Sequence, residues 1–195
     1  MSAQQRREQL LSVGKALFAS RGYEAVTVEE IAAKAEVSKP VVYEHFGGKE
    51  GLYAVVVDRE MQTLLQRITD ALTGDHPRTL LEQAGMALFD YIEGDTDGFR
   101  ILVRDSPVPT GNFASLIVEI AGKVEYLMAK QFKARGFNTR LAPMYSQMLV
   151  GMVALTGQWW LDVRKPDKDE VVAHLVNLTY NGFSHLEHKP KLSGG

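Results

Sequence analysis

From Thr27 to Leu52 the chain reads TVEEIAAKAEVSKPVVYEHFGGKEGL. Thr27 followed three residues later by Glu30 is a capping box, in which side chains satisfy two orphan N–H donors at a helix start. Val28, Ile31, Ala32 and Ala35 then recur at helical spacing and form one buried face. Ser38 is a second N-cap, and Pro40 falls in the first turn of the next helix, where a missing backbone donor costs nothing. Val42 and Phe46, four apart, face the same core. Lys39, Pro40, Val41, Tyr43 and Glu44 point elsewhere. Two short helices joined by a tight turn, the second with its outward residues free of packing, suit entry into a DNA major groove.

On either side the pattern stays helical. A first helix is predicted from about Gln5 to Ser20, with Leu10, Val13, Leu17 and Phe18 as its stripe. Gly47-Gly48 ends the recognition helix, and a long helix follows from Lys49 to Thr73. Beyond the Gly74–Pro77 break, helices are predicted at 78–93, 98–105, 112–135, 140–164 and 168–186, with a stop at Ser106-Pro107-Val108-Pro109. No alternating strand pattern of useful length appears. The fold class is therefore all-α: an N-terminal three-helix helix-turn-helix domain (1–48), a C-terminal helical domain (49–188) and a disordered tail (189–195).

Hydrophobic content of 45% and charged content of 24% are those of an ordinary globular protein, and 195 residues can bury a sizeable core. The absence of cysteine excludes disulfides, thiolate metal sites and cysteine nucleophiles. No apolar run reaches membrane-spanning length and no signal peptide opens the chain, so no membrane partner and a cytoplasmic location are expected. The net charge of −2 divides unevenly. Residues 1–49 carry seven Lys/Arg against six Asp/Glu, and the remainder fifteen against eighteen. Only the N-terminal part leans towards phosphate. His185 and His188 lack a carboxylate in a recognised ligand frame, and no phosphate loop or nucleophile elbow is present, so neither enzyme nor cofactor is expected.

The order T-x-x-x-I-A-x-x-A-x-V-S-x-x-x-V-Y-x-H-F-x-x-K-E-x-L resembles the N-terminal domain of TetR-family transcriptional regulators, over roughly residues 6–53. One departure is Glu36, where that family usually has glycine. Glycine tolerates a left-handed backbone that Glu resists, so the turn is expected to be reshaped or strained. The resemblance assigns Thr27, Ser38, Tyr43, His45 and Lys49 to phosphate, contacts that fix register without reading sequence. Base reading falls to Lys39, Pro40, Val41 and Glu44, with Glu29 as a further candidate. Lys can donate to guanine and Val can touch a thymine methyl; Glu44 either accepts from cytosine or lies outside the contact surface.

In the resembling family the last two helices pair with their copies. That implies a homodimer, with Tyr145, Met148, Leu149, Val172, Leu175, Val176, Thr179 and Phe183 as candidate interface residues. The stripe on the first of these helices continues through Met152, Leu155, Trp159 and Val163. The resemblance also implies a small, largely apolar effector. Phe89, Phe99, Leu102, Arg104, Phe113, Ile117, Tyr126, Met152, Thr156, Trp159 and Trp160 are its candidate contacts, the usual mixture of an apolar site with a few polar groups. The function expected is a ligand-responsive regulator, most often a repressor, on a palindromic double-stranded DNA operator. The alternatives are a regulator without effector, and a helical protein–protein module with a vestigial motif.

Overall fold

The computed structural model describes residues 2–104 and 113–192. Its described residues form α1 (Ala3–Arg21), α2 (Val28–Lys34), α3 (Lys39–Phe46), α4 (Lys49–Ala71), α5 (Pro77–Gly94), α6 (Thr96–Val103), α7 (Phe113–Ala134), α8 (Ala142–Val163) and α9 (Lys168–Ser184), with a 3-10 turn at Thr139–Leu141 before α8. No strand occurs among them. The helices start and stop within a few residues of the positions predicted. The expected Ser106–Pro109 stop, the helix ends at Asp105 and Asn112 and tail residues 193–195 lie outside the described residues.

Two compact units emerge, Met1–Gln66 with Tyr91–Ala114, and Arg67–Asp90 with Ser115–Gly195. The first gathers α1–α3, most of α4, the end of α5 and α6. This grouping crosses the expected boundary at residue 48, because α6 packs on α1. Its core is Leu10, Phe18, Ile31, Val42, Leu52 and Val56, all nearly inaccessible, with Tyr53 edge-on to Phe18 at 5.0 Å. Gly51 is required: a Cβ there would stand 1.9 Å from the backbone oxygen of Phe46, where α3 turns into α4.

The second unit buries Leu88, Phe89, Phe132, Leu149, Val172, Val176 and Trp160. The Trp160 ring lies 5.3 Å from Phe89, and its Nε1 donates to the Pro166 carbonyl at 2.8 Å. No helix of the described residues is long and apolar enough to cross a membrane.

Candidate nucleic-acid interface

The helix-turn-helix forms as its caps direct. Thr27 Oγ1 accepts from Glu30 N–H at 3.2 Å, and the Glu30 carboxylate accepts from Thr27 N–H at 3.0 Å. Arg21 adds an ion pair to Glu30. Hydrogen bonds from Arg21 and from the Thr27 backbone hold the Glu30 carboxyl below its ordinary range. The hydroxyl and N–H of Thr27 assigned to phosphate are thus engaged in the cap in the free protein.

Glu36 adopts φ 53°, the left-handed geometry glycine would take. The turn therefore keeps its shape, at a backbone cost of about 1–2 kcal/mol for a residue with a Cβ. Of the two outcomes expected from the sequence, strain is the one observed.

On α3, Ser38 occupies the N-cap position, but its side chain makes no capping bond. Lys39, Pro40, Tyr43 and Glu44 are exposed, and Val41 and His45 half-buried. Lys39 forms an ion pair with Glu29 of α2, whose carboxylate raises the Lys39 ammonium above its ordinary range. Glu29 and Lys39 therefore present an acceptor and a donor side by side on the exposed face. Lys49 is placed differently from expectation. It is half-buried, donates to the Tyr23 carbonyl at 3.0 Å and sits 4.1 Å from the Tyr23 ring centroid, which ties α4 to the loop before α2.

Two residues that sequence reasoning passed over hold this face in place. Arg7 of α1 donates to the His45 carbonyl at 2.7 Å and lies 4.4 Å from the Phe46 ring centroid. Gln9 donates to the Ala35 carbonyl at 3.1 Å. The first helix thus grips both helices of the motif. Only the fold shows Arg7 turned inward.

The candidate effector residues divide between the two units. In the first, Phe99 stands edge-on to Phe113 at 5.5 Å, and Leu102 is buried. Exposed Arg104 donates to the Phe18 carbonyl at 3.4 Å and so serves the end of α1. In the second, Phe89 and Trp160 pack together, while Ile117 and Thr156 are half-buried. Thr156 turns its hydroxyl to the Met152 carbonyl. Tyr126, Met152 and Trp159 are exposed, Tyr126 by 74%. They line the surface and not an interior.

The candidate dimer residues also need re-sorting. Leu149, Val172, Leu175, Val176 and Thr179 are buried within the chain's own fold, because the inner stripes of α8 and α9 face the second unit's core. Tyr145 and Phe183 are half-buried against each other at 5.8 Å. Met148 alone of the set is exposed, at 54%. The outward stripe is Met144, Met148, Met152, Leu155, Trp159 and Val163 on α8, with Leu178 on α9.

Residues 10–56 match the family model described as bacterial regulatory proteins, tetR family, and residues 77–182 match the model described as tetracyclin repressor-like, C-terminal domain. The chain belongs to the TetR family. It is 33% identical over 185 residues to the HTH-type transcriptional activator FasR of Mycolicibacterium smegmatis, covering 93% of this chain and 84% of that protein. It is 23% identical over 158 residues to the HTH-type transcriptional regulator HbdR of an Aromatoleum species, covering 80% of this chain and 69% of that one. A TetR-like regulator from Rhodococcus shares the fold with a TM-score of 0.76 at 22% identity, over 93% of this chain and 97% of that chain. This TetR-family chain is a DNA-binding transcriptional regulator and not an enzyme.

Proposed function

We propose that this regulator works in the bacterial cytoplasm as a homodimer on a palindromic operator. The outward apolar stripe of α8 carries the reading. Six large apolar side chains recur over five turns, each at least 36% exposed in the single chain. Surfaces of that extent on soluble proteins mark interaction sites, and a second copy supplies the matching stripe through two-fold symmetry. A dimer presents two copies of α3, as half-sites about one helical turn apart require. Sedimentation of the wild-type protein at micromolar concentration tests this: a dimer is expected, and a monomer would end the reading.

A small, largely apolar molecule held in the C-terminal helical domain would release the operator. The match of residues 77–182 to a tetracyclin repressor-like domain and the aromatic interior around Phe89 and Trp160 favour that reading. Hydrophobic compounds are expected to shift the emission of the buried Trp160 and lower operator affinity together, with the reciprocal loss of compound affinity on DNA. A compound that binds tightly and leaves operator affinity untouched would contradict it.

Repression is the first reading of the output. The Mycolicibacterium relative, a transcriptional activator, favours a second, in which the bound dimer promotes transcription. Deleting the regulator separates them: transcription from its operator-bearing promoter rises under repression and falls under activation.

A further inference from the structure

Between α1, α4, α5 and α6, inside the first unit, lies a cluster of charge that includes none of the candidate DNA-contact residues. Lys15 Nζ stands 2.8 Å from Glu60 Oε1 and 2.6 Å from Asp95 Oδ2. Tyr91 donates its hydroxyl to Glu60 Oε2 at 2.6 Å, and Glu60 itself is only 7% exposed. Asp95 caps α6 by accepting from Gly98 N–H at 3.0 Å. A Cβ on Gly98 would fall 2.2 Å from Glu60 Oε2 and 2.6 Å from the Tyr91 hydroxyl, so glycine leaves the space the cluster occupies. No buried side-chain nitrogen or oxygen among the described residues lacks a partner.

Charges taken out of water in this way add little net stability, and apolar residues of similar volume often hold helices together as well or better. What apolar packing lacks is direction. The ammonium of Lys15, held by two carboxylates on different helices, fixes α1 along and across α4 and α6 at once. Because α1 grips α3 through Arg7 and the α2–α3 turn through Gln9, whatever fixes α1 fixes the recognition helix. Glu8 and Arg59 add an exposed bidentate contact between α1 and α4, at 2.6 and 2.8 Å.

We propose that Lys15, Glu60 and Asp95 are positioning residues that hold the recognition helix at one place relative to α4 and α6, and thereby set the half-site spacing the regulator accepts. The proposal rests on the homodimer reading above. In a dimer a small rotation of α1 moves each α3 along its groove, so loosening this lock broadens the spacings tolerated. It leaves contact with one half-site as it was.

The test uses the full chain and three probes: the duplex that wild-type protein selects from a random-sequence pool, its isolated half-site, and duplexes with the spacing lengthened or shortened by one base pair. Lys15→Met with Glu60→Gln and Asp95→Asn removes all three charges, keeps an acceptor for Tyr91 and keeps a good N-cap on α6. The triple variant is expected to bind the half-site like wild type, to lose about tenfold on the selected duplex, and to bind altered spacings almost as well as the native one. Should it fail to fold, Asp95→Asn alone is expected to flatten the spacing preference in the same direction by a smaller factor. Unchanged spacing preference in a folded variant overturns the proposal, and so does an equal loss on full site and half-site, which marks a merely structural role. Wild-type protein that binds half-site and full site equally overturns the homodimer reading, and the proposal with it.

Discussion

The DNA-binding end and the α8 surface solve opposite problems. Around α1 the chain places directional contacts where apolar packing alone would serve for stability: Lys15 between two carboxylates, Arg7 on the His45 carbonyl, Lys49 on the Tyr23 carbonyl. Along α8 it does the reverse, leaving Met144, Met148, Leu155 and Trp159 in water where charged residues would be at home. The first pattern fixes geometry within one chain. The second leaves apolar area whose burial, at about 25 cal/mol per Å², is available to association. A regulator that reads two half-sites needs both.

The sharpest contrast comes from placing a charge on each side of the same helix pair. Val176→Asp puts an uncompensated carboxylate into the second unit's core and is expected to cost about 3–5 kcal/mol, read as loss of the cooperative thermal transition. Leu155→Glu, at a position 63% exposed, is expected to leave the chain folded while raising the dimer dissociation constant at least about tenfold. If Leu155→Glu unfolds the chain, or leaves the dimer intact, the division of α8 into inner and outer faces is wrong.

A smaller effect is expected at the DNA end. Lys39→Ala should relax preference at one base pair by about 5- to 150-fold if the ammonium reads guanine, as selection from a random pool would show. A uniform loss on all sequences would make Lys39 a phosphate contact instead. Glu36→Gly is expected to stabilise the protein by about 1 kcal/mol in urea denaturation, since glycine adopts φ 53° without strain and gives back part of the gain as chain entropy.

The smallest effect is one of pH. The Glu30 carboxyl is held low by the hydrogen bonds from Arg21 and the Thr27 N–H. A depressed folded pKa stabilises the native state above the unfolded carboxylate range, and that contribution is lost as pH falls through the depressed value. Glu30→Gln is therefore expected to be less stable than wild type at neutral pH and to match it in strong acid.

The helices and the motif were legible in the sequence because their signals are local. Thr27 and Glu30 sit three apart, Gly47-Gly48 marks a stop, and apolar residues recur at helical spacing. The α8–α9 faces were legible only as periodicity. A helix with apolar residues on more than one side does not say which stripe its own chain covers, so Val172, Leu175 and Val176 read as interface until the fold placed them in the core. The Lys15 cluster was not legible at all. Its members are 45 and 80 residues apart in sequence, and each alone reads as a solvated charge. Lys49, three residues beyond the Tyr-x-His-Phe run, looked like an outward cation for the same reason, since nothing nearby in sequence points to the Tyr23 carbonyl.

Selection of duplexes from a random-sequence pool by the intact wild-type protein, followed by sequencing, tests both ends together. A palindrome whose half-sites lie about one helical turn apart is expected, with its centres at a single spacing. Enrichment of an isolated half-site, or of none, would contradict the assignment of α3 and α8 to one two-fold DNA-binding machine.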